Sequence, residues 1–373
     1  MLAWARDRSG VEAGDLARRF PGLAEWESGH RLPTFKQLET FARATHTPVG
    51  FLFLDEPPQE QVPVPDYRTM GAQRVHRPSA DLLDTIYLCQ QRQDWYREFA
   101  QLTGEGQVEI VGSVSTATPV TEAATQIRSA LRFEVPERGH SWTEAFRVLV
   151  DRAEDVGALV MVSGVVGSNT HRRLDPREFR GFALADAMAP VVFVNGADTK
   201  AAQLFTLVHE LAHLWLGEAA LDDVDTAAEP VAQAERWCNE VAAEVLVPMA
   251  DLRDNMGPSA PLQDQLQRLA QHFKVSTLVV LRRFSDAGYF PTREAYRSAY
   301  QAELERLLEI LDERAGTGGN FYSTQPLRVS RRFAQAVVTS TLEGQTLYRD
   351  AFQMLGFKRL ETFNQLASRL GAG

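Results

Sequence analysis

The spacing of apolar residues divides the chain into long helical regions and one short region of strands. Apolar positions recur every three to four residues through most of the chain, for example at Phe35, Leu38 and Phe41, and this is the period of an amphipathic helix. Between residues 158 and 195 the pattern changes to short apolar runs bounded by Gly, Pro and Asp, which predict strands. The chain is therefore predicted to be an α+β protein: mostly helical, with several domains and a small mixed sheet.

Proline, glycine and changes of pattern predict where the elements and domains begin and end. The elements predicted after the first 55 residues are helices at 79–102, 121–131, 141–155, 200–215 and 231–247, and strands at 158–163, 181–185 and 190–195. Helices then continue to residue 313, and a glycine-rich hinge at 316–319 precedes a last pair of helices. The predicted domains are a bundle of short helices (1–55), a proline-rich linker (56–78), a helical segment (79–138), a core containing the sheet (139–258), and two further helical segments (259–315 and 316–373).

The residues that carry chemistry lie on the predicted helix 200–215, in the run His209-Glu210-Leu-Ala-His213. Four helical residues rotate by about 400°, so the two imidazoles point within about 40° of each other, one turn apart. This arrangement supplies two nitrogen ligands for zinc, and Glu210 beside them is placed to accept a proton from water at the metal. Most flanking residues are apolar, so the helix should be buried, and buried histidines require a partner. The motif therefore predicts a metal site rather than accidental spacing.

The spacing alone leaves the third ligand open. No histidine occurs between His213 and His272, so a carboxylate is expected. The acidic candidates that follow the motif are Glu218, Asp222, Asp223, Asp225, Glu229, Glu235, Glu240 and Glu244. The last three share one predicted helix, where Glu240 lies about 140° and Glu244 about 180° around from Glu235, so at most one of them can face the metal.

The face of that helix that carries Glu235 suits a metal pocket, since it also carries Asn239, Ala242 and Leu246. Glu240 and Glu244 are then expected on the solvated side. The acids of the preceding loop remain alternatives on geometry alone.

Two blocks of sequence carry a resemblance to a known family. Phe205-Thr-Leu-Val-His-Glu-Leu-Ala-His213, followed by Glu235-Arg-Trp-Cys-Asn239 and an apolar run ending at Pro248, resembles the ImmA/IrrE metallopeptidases. The resemblance covers roughly residues 145–255. It implies a zincin-like domain with one Zn²⁺ per chain, Glu235 as the third ligand and Glu210 as the catalytic base. Mn²⁺ or Fe²⁺ can occupy the same kind of site.

Three further features are candidates for roles at this site. Asn239 and His171 are candidates for a supporting residue or for stabilising the oxyanion of the transition state, although an exposed loop histidine is more often only solvated. The third is a predicted strand with the character of a sheet edge, which could pair with an extended substrate or be an ordinary strand. Its residues are Gly181, Phe182, Ala183 and Leu184.

The amino-terminal residues resemble the Xre-type helix-turn-helix. Leu16-Ala17, then Trp26-Glu27-Ser-Gly, then Leu38 and Ala42 follow that family's order. The family usually places about 14 residues between the first and second blocks, which gives room for the helix that enters the major groove. Here Trp26 follows Leu16 by 10 positions, and residues 1–50 carry a net charge of only +1. We therefore expect weak DNA binding, or a scaffold kept for protein contacts.

Composition limits the remaining possibilities. A net charge of −10 excludes a protein that binds nucleic acid through a broad basic surface. Two cysteines, no signal-peptide pattern and no run of about 18–20 apolar residues predict a cytoplasmic protein without membrane contact. The oligomeric state is not predicted.

Two functions are consistent with these observations. The first is an endopeptidase that cleaves a protein partner, for which the resemblance implies a transcriptional repressor in a regulatory or stress response. The alternative is a DNA-binding or interaction regulator, such as an antitoxin, whose metal site is structural or vestigial. Glu210 favours the enzyme, because a closed structural site has no use for a base beside the metal.

Overall fold

The computed structural model describes residues 1–58, 78–217, 229–257, 260–313 and 328–371. Over these residues the protein is mostly helical with one three-stranded sheet, which confirms the predicted α+β class. The chain divides into two compact units. One contains the described residues of 1–58 and 78–88, and the other contains those from 89 onward. The hinge predicted at 316–319 and most of the predicted linker lie outside the described residues.

The first unit is a bundle of short helices, as predicted. Its elements are α1 (Leu2–Ser9), α2 (Ala13–Arg19), α3 (Leu23–Glu27), α4 (Phe35–Ala44), a 3₁₀ turn (Val49–Phe53) and the first turns of α5 (Ala80–Thr103). Its core is aromatic and includes Trp4, Phe20, Trp26 and Phe41. The helix α3 is only five residues long, in line with the short spacing between Leu16 and Trp26.

The second unit contains the sheet and the remaining helices. These helices are α6 (Val120–Leu131), α7 (Trp142–Asp155), α8 (Lys200–Leu216), α9 (Glu229–Leu246), α10 (Met249–Asn255), α11 (Leu262–Phe273), α12 (Thr277–Asp286), α13 (Arg293–Glu313), α14 (Arg331–Leu342), α15 (Tyr348–Leu355) and α16 (Leu360–Leu370). The prediction of a last pair of helices was wrong, because three helices are described after residue 328. Gly344 and Gly356, with φ of 76° and 72°, take left-handed conformations that end α14 and α15.

The sheet has the strands β1 (Leu159–Ser163), β2 (Gly181–Leu184) and β3 (Val191–Asn195) in the order β1-β3-β2. The central strand β3 pairs in parallel with β1 and antiparallel with β2, so the predicted mixed sheet is confirmed. All residues of β1 and β3 are buried, which explains why both strands read as continuous apolar runs. Among the residues that the structure describes, β2 pairs only with β3, so it forms an edge of the sheet.

The helix α8 lies at the centre of this unit. It packs against α7, α9, β2 and β3, and its apolar residues belong to the main core. Thr199 caps its first turn by accepting a hydrogen bond from the backbone nitrogen of Ala202 at 3.3 Å, and Gly217 ends it with φ of 66°. The predicted burial of this helix is confirmed. Among the helices that the structure describes, none is both long and apolar enough to cross a membrane.

Three arginine side chains hold the carboxyl-terminal end of α9, and we call them the arginine cap. Four successive backbone carbonyls accept their hydrogen bonds: Glu244 from Arg128 at 2.8 Å, Val245 and Leu246 from Arg138 at 2.9 and 2.5 Å, and Val247 from Arg283 at 3.0 Å. Carbonyls in the last turn of a helix have no partner within the helix. Arg138 is fully buried, and burial lowers its pKa to about 9.

The position of Glu244 corrects the prediction that it faces solvent. Its carboxylate is buried, pairs with Arg283, and accepts a hydrogen bond from the backbone nitrogen of Met249 at 3.2 Å. Glu240 is exposed, as predicted. The period of a helix shows which residues share a face but not how many faces are covered, and α9 packs against α6 as well as α8.

Candidate metal centre

Helix α8 supplies two imidazoles and a carboxylate from a single buried segment. His209 and His213 lie one turn apart with their ring centroids 4.9 Å from each other, and their Nε2 atoms are 3.3 Å apart. His209 is fully buried, whereas 14% of the His213 side chain is exposed. Glu210 is also buried. The two rings therefore point to one place, as the spacing of four residues predicts.

Helix α9 brings a carboxylate to the same place. Glu235 Oε1 lies 2.7 Å from His213 Nε2, and Glu235 Oε2 lies 3.3 Å from His209 Nε2. Among the described residues, His209, His213 and Glu235 form the group that could hold a metal ion, with all ligand atoms within 4.8 Å of one another.

These three donors fit a divalent ion such as zinc. The bonds from zinc to nitrogen and oxygen are about 2.0–2.2 Å long, so two ligand atoms at a tetrahedral ion lie roughly 3.3–3.5 Å apart. Two of the three observed separations between donors are 3.3 Å and the third is 2.7 Å. Small rotations of the side chains would therefore open the group around an ion. Two imidazoles and one carboxylate, with a fourth position left for water, are the donor set of a catalytic zinc site.

The ionisable groups of the site shift one another's pKa values. Burial works to raise the pKa of Glu235, but its contacts with both histidines hold that pKa well below its usual range. Burial alone would lower the pKa of His213, but hydrogen bonds to Cys238 and Glu235 and the nearby charge of Glu210 hold it well above the usual value. Glu235 is therefore ionised, as a metal ligand must be, whereas His213 would bind a metal ion with release of its proton.

The predicted edge strand β2 lies directly against the motif. A methyl group added at Gly181 would stand 2.5 Å from Thr206 Cγ2 and 3.3 Å from Glu210 Cγ. Glycine at this position therefore allows the strand to approach α8 at the level of the glutamate. The strand β2 is thus an edge strand beside the site, and its pairing with a substrate stays a prediction.

The other predicted residues have different surroundings. The Asn239 amide nitrogen donates to the backbone carbonyl of Glu235 at 2.7 Å, so the amide bonds to the helix backbone and not to the Glu235 carboxylate. His171 is exposed, and its backbone nitrogen bonds to the Asn169 side chain. The acidic alternatives of the loop, Glu218, Asp222, Asp223 and Asp225, lie outside the described residues, as does the side chain of Glu229.

Cys238 is a residue of the site that the sequence reasoning did not include. It is fully buried, and its thiol is hydrogen-bonded to His213. Burial raises the pKa of the thiol, against the opposing effect of His213. Its spacing of three from Glu235 on one helix was the signal, because residues three apart share a face.

Two parts of the chain match known family models. Residues 153–285 match the M78 peptidase family model, described as an IrrE N-terminal-like domain. The match contains all three candidate ligands and Glu210, and it supports the resemblance to the ImmA/IrrE metallopeptidases. A family of metallopeptidases implies a metal cofactor. Residues 329–369 match a second model, described as a domain of unknown function. A comparison of the chain with curated proteins gave no match.

Proposed function

We propose that this protein is a zinc-dependent endopeptidase with Glu210 as its general base. One observation carries the proposal: His209, His213 and Glu235 converge from two helices, with Glu210 buried beside them and next to an edge strand. A structural site needs only the ligands, whereas hydrolysis also needs a proton acceptor and a place for an extended peptide.

In this proposal each residue of the chain has a separate task. His209, His213 and Glu235 hold the ion, which when bound supplies a Lewis acid for the peptide carbonyl and the attacking water. Glu210 accepts the proton of that water and later passes it to the leaving amine. The surrounding apolar core limits the access of bulk water to Glu210.

We further propose that the substrate is a protein partner, for which the family resemblance suggests a transcriptional repressor in a regulatory response. The support in the structure is the edge strand β2, whose outer side can pair with an extended chain of any sequence. Gly181 keeps this edge close to Glu210. A substrate bound in this way must be locally unfolded or have a mobile segment.

The decisive variant is Glu210→Gln, which removes the proton acceptor but keeps the size of the side chain. We expect unchanged zinc content by elemental analysis and a loss of cleavage of roughly 10²–10⁴-fold. Purified repressors encoded beside the gene serve as substrates, with and without a chelator. Glu240→Gln is the matched control because Glu240 is exposed on α9. Cleavage by Glu210→Gln at the rate of the unchanged protein would contradict the proposal.

A further inference from the structure

The last three helices pack against one another within the second unit, and we call residues 328–371 the C-terminal three-helix domain. Helix α14 packs against both α15 and α16, and Phe363 of α16 contacts the rings of Tyr348 and Phe352 of α15. The buried residues of this domain include Phe333, Val337, Ala351, Leu355, Phe363 and Leu366. It coincides with the segment that matches the family of unknown function.

The connection between α15 and α16 has the length and the glycine of a helix-turn-helix turn. Four residues join the helices, from Gly356 to Arg359. Gly356 takes a left-handed conformation with φ of 72°, and Phe357 is buried under the turn. A turn of three or four residues that contains glycine, braced by a third helix, is the typical form of this motif.

The second helix of the motif has one apolar and one polar face. The apolar face is buried and carries Phe363, Leu366 and Ala367. The opposite face is exposed, and four of its residues line a shallow groove: Asn364, Gln365, Ser368 and Arg369. Amide and guanidinium side chains are the groups that read adenine and guanine in the major groove.

The charge of this domain is opposite to that of the rest of the chain. Its basic residues are Arg328, Arg331, Arg332, Arg349, Lys358, Arg359 and Arg369, and its acidic residues are Glu343, Asp350 and Glu361. Its net charge is therefore +4, and the rest of the chain carries −14, since the whole chain carries −10. Lys358 and Arg359 are exposed on the turn, immediately before α16. Arg332 pairs with Glu105 and Arg349 with Asp350, so the exposed Lys358 and Arg359 of the turn are the charges that attract a polyanion here.

From the turn, the exposed polar face and the charge, we propose that the C-terminal three-helix domain binds double-stranded DNA. The helix α16 enters the major groove, where Asn364 and Gln365 contact base edges. Lys358 and Arg359 contact phosphates beside the groove. This function is independent of peptide cleavage. The DNA sequence is recognised by α16 and not by the short helix α3 of the first unit.

The test uses the full-length protein and a fluorescently labelled duplex of about 20 base pairs, selected from a random pool by binding to the protein. Anisotropy titrations between about 50 and about 200 mM salt give the affinity and its salt dependence. Lys358→Gln combined with Arg359→Gln should weaken binding at every salt concentration. It should also lower the slope of log K against log salt by about 2, since about one unit is lost for each phosphate contact.

Two matched pairs of substitutions show where DNA binds. Arg293→Gln with Arg297→Gln removes two exposed charges from α13 and should leave the affinity and the slope unchanged. Arg18→Gln with Arg19→Gln does the same in the first unit. If either control pair weakens binding as much as the pair on the turn does, or if the unchanged protein does not bind the duplex at low salt, the proposal is overturned.

A separate variant tests whether α16 contacts the base edges. Asn364→Ala with Gln365→Ala should weaken binding to the selected duplex by at least about tenfold while binding to an unrelated duplex is retained, because amide contacts to base edges discriminate between sequences. An equal loss on both duplexes, or no loss on either, would exclude α16 as the reading helix. Circular dichroism checks that each variant is folded.

Discussion

The variant Glu244→Ala tests whether the arginine cap contributes to stability independently of metal binding at Glu235. In Glu244→Ala the guanidinium of Arg283, only 6% exposed, loses its buried partner. Breaking a buried ion pair from one side destabilises a protein by about 3–5 kcal/mol. Arg283 keeps its bond to the carbonyl of Val247 at 3.0 Å and a contact with Asp286 at 3.3 Å. We therefore expect a loss near the lower end of that range, about 3 kcal/mol.

Thermal unfolding followed by circular dichroism measures this loss. For a domain of this size, a change of about 3 kcal/mol corresponds to a decrease in Tm of roughly 5–10 °C. Glu240→Ala is the matched control on the same helix, and its exposed side chain should contribute less than about 0.5 kcal/mol. Both variants should retain the zinc content of the unchanged protein, because neither carboxylate belongs to the group of candidate ligands. A decrease in Tm equal to that of Glu240→Ala, or loss of zinc from folded Glu244→Ala, would refute this reasoning.

Three further predictions follow from the geometry. His213→Ala and Glu235→Ala should each lose the zinc ion, because two remaining ligands bind weakly; unchanged zinc by elemental analysis in either variant would exclude that ligand. Gly181→Ala places a methyl group 2.5 Å from Thr206 Cγ2 and should destabilise the protein by about 1–3 kcal/mol and slow cleavage; a thermal unfolding curve identical to that of the unchanged protein would contradict the close approach of β2. Burial raises the pKa of Glu154 to about 7, so its contribution to stability is present below the unfolded value of about 4.5 and is lost as the pH rises through about 7. Glu154→Gln should therefore match the unchanged protein near about pH 4 and exceed its stability by up to about 3 kcal/mol at about pH 8, and equal stabilities at both pH values would contradict this.

The sequence predicted the elements of the second unit well because its patterns are strong and its boundaries are marked. The three strands lie where short apolar runs predicted them, and α8 begins after Thr199 and ends before Gly217, residues that favour helix ends. The convergence of His209, His213 and Glu235 followed from helical spacing together with the family resemblance. Neither source alone could have placed α9 against α8, because that contact joins residues far apart in the chain.

The errors have physical causes. Glu244 was expected in solvent because helical periodicity separates the faces of one helix but does not reveal that Arg283 of α12 pairs with its carboxylate. The last region was expected to contain two helices, and the third helix is explained by Gly344 and Gly356. A glycine inside a helical pattern can be tolerated or can end the helix, and only the three-dimensional surroundings decide which occurs.

The arginine cap helps to fix α9 without any contribution from a metal ion. The helix α9 is fixed at its far end by arginine side chains, and along its length by the apolar core that it shares with α8. The rotation of α9 about its axis and its position along that axis are set by contacts that involve no ion. These contacts therefore also set the position of Glu235. In zinc fingers the metal drives folding, whereas here contacts within the protein bring the candidate ligands together. We therefore expect the fold of this unit to persist whether or not a metal ion is bound.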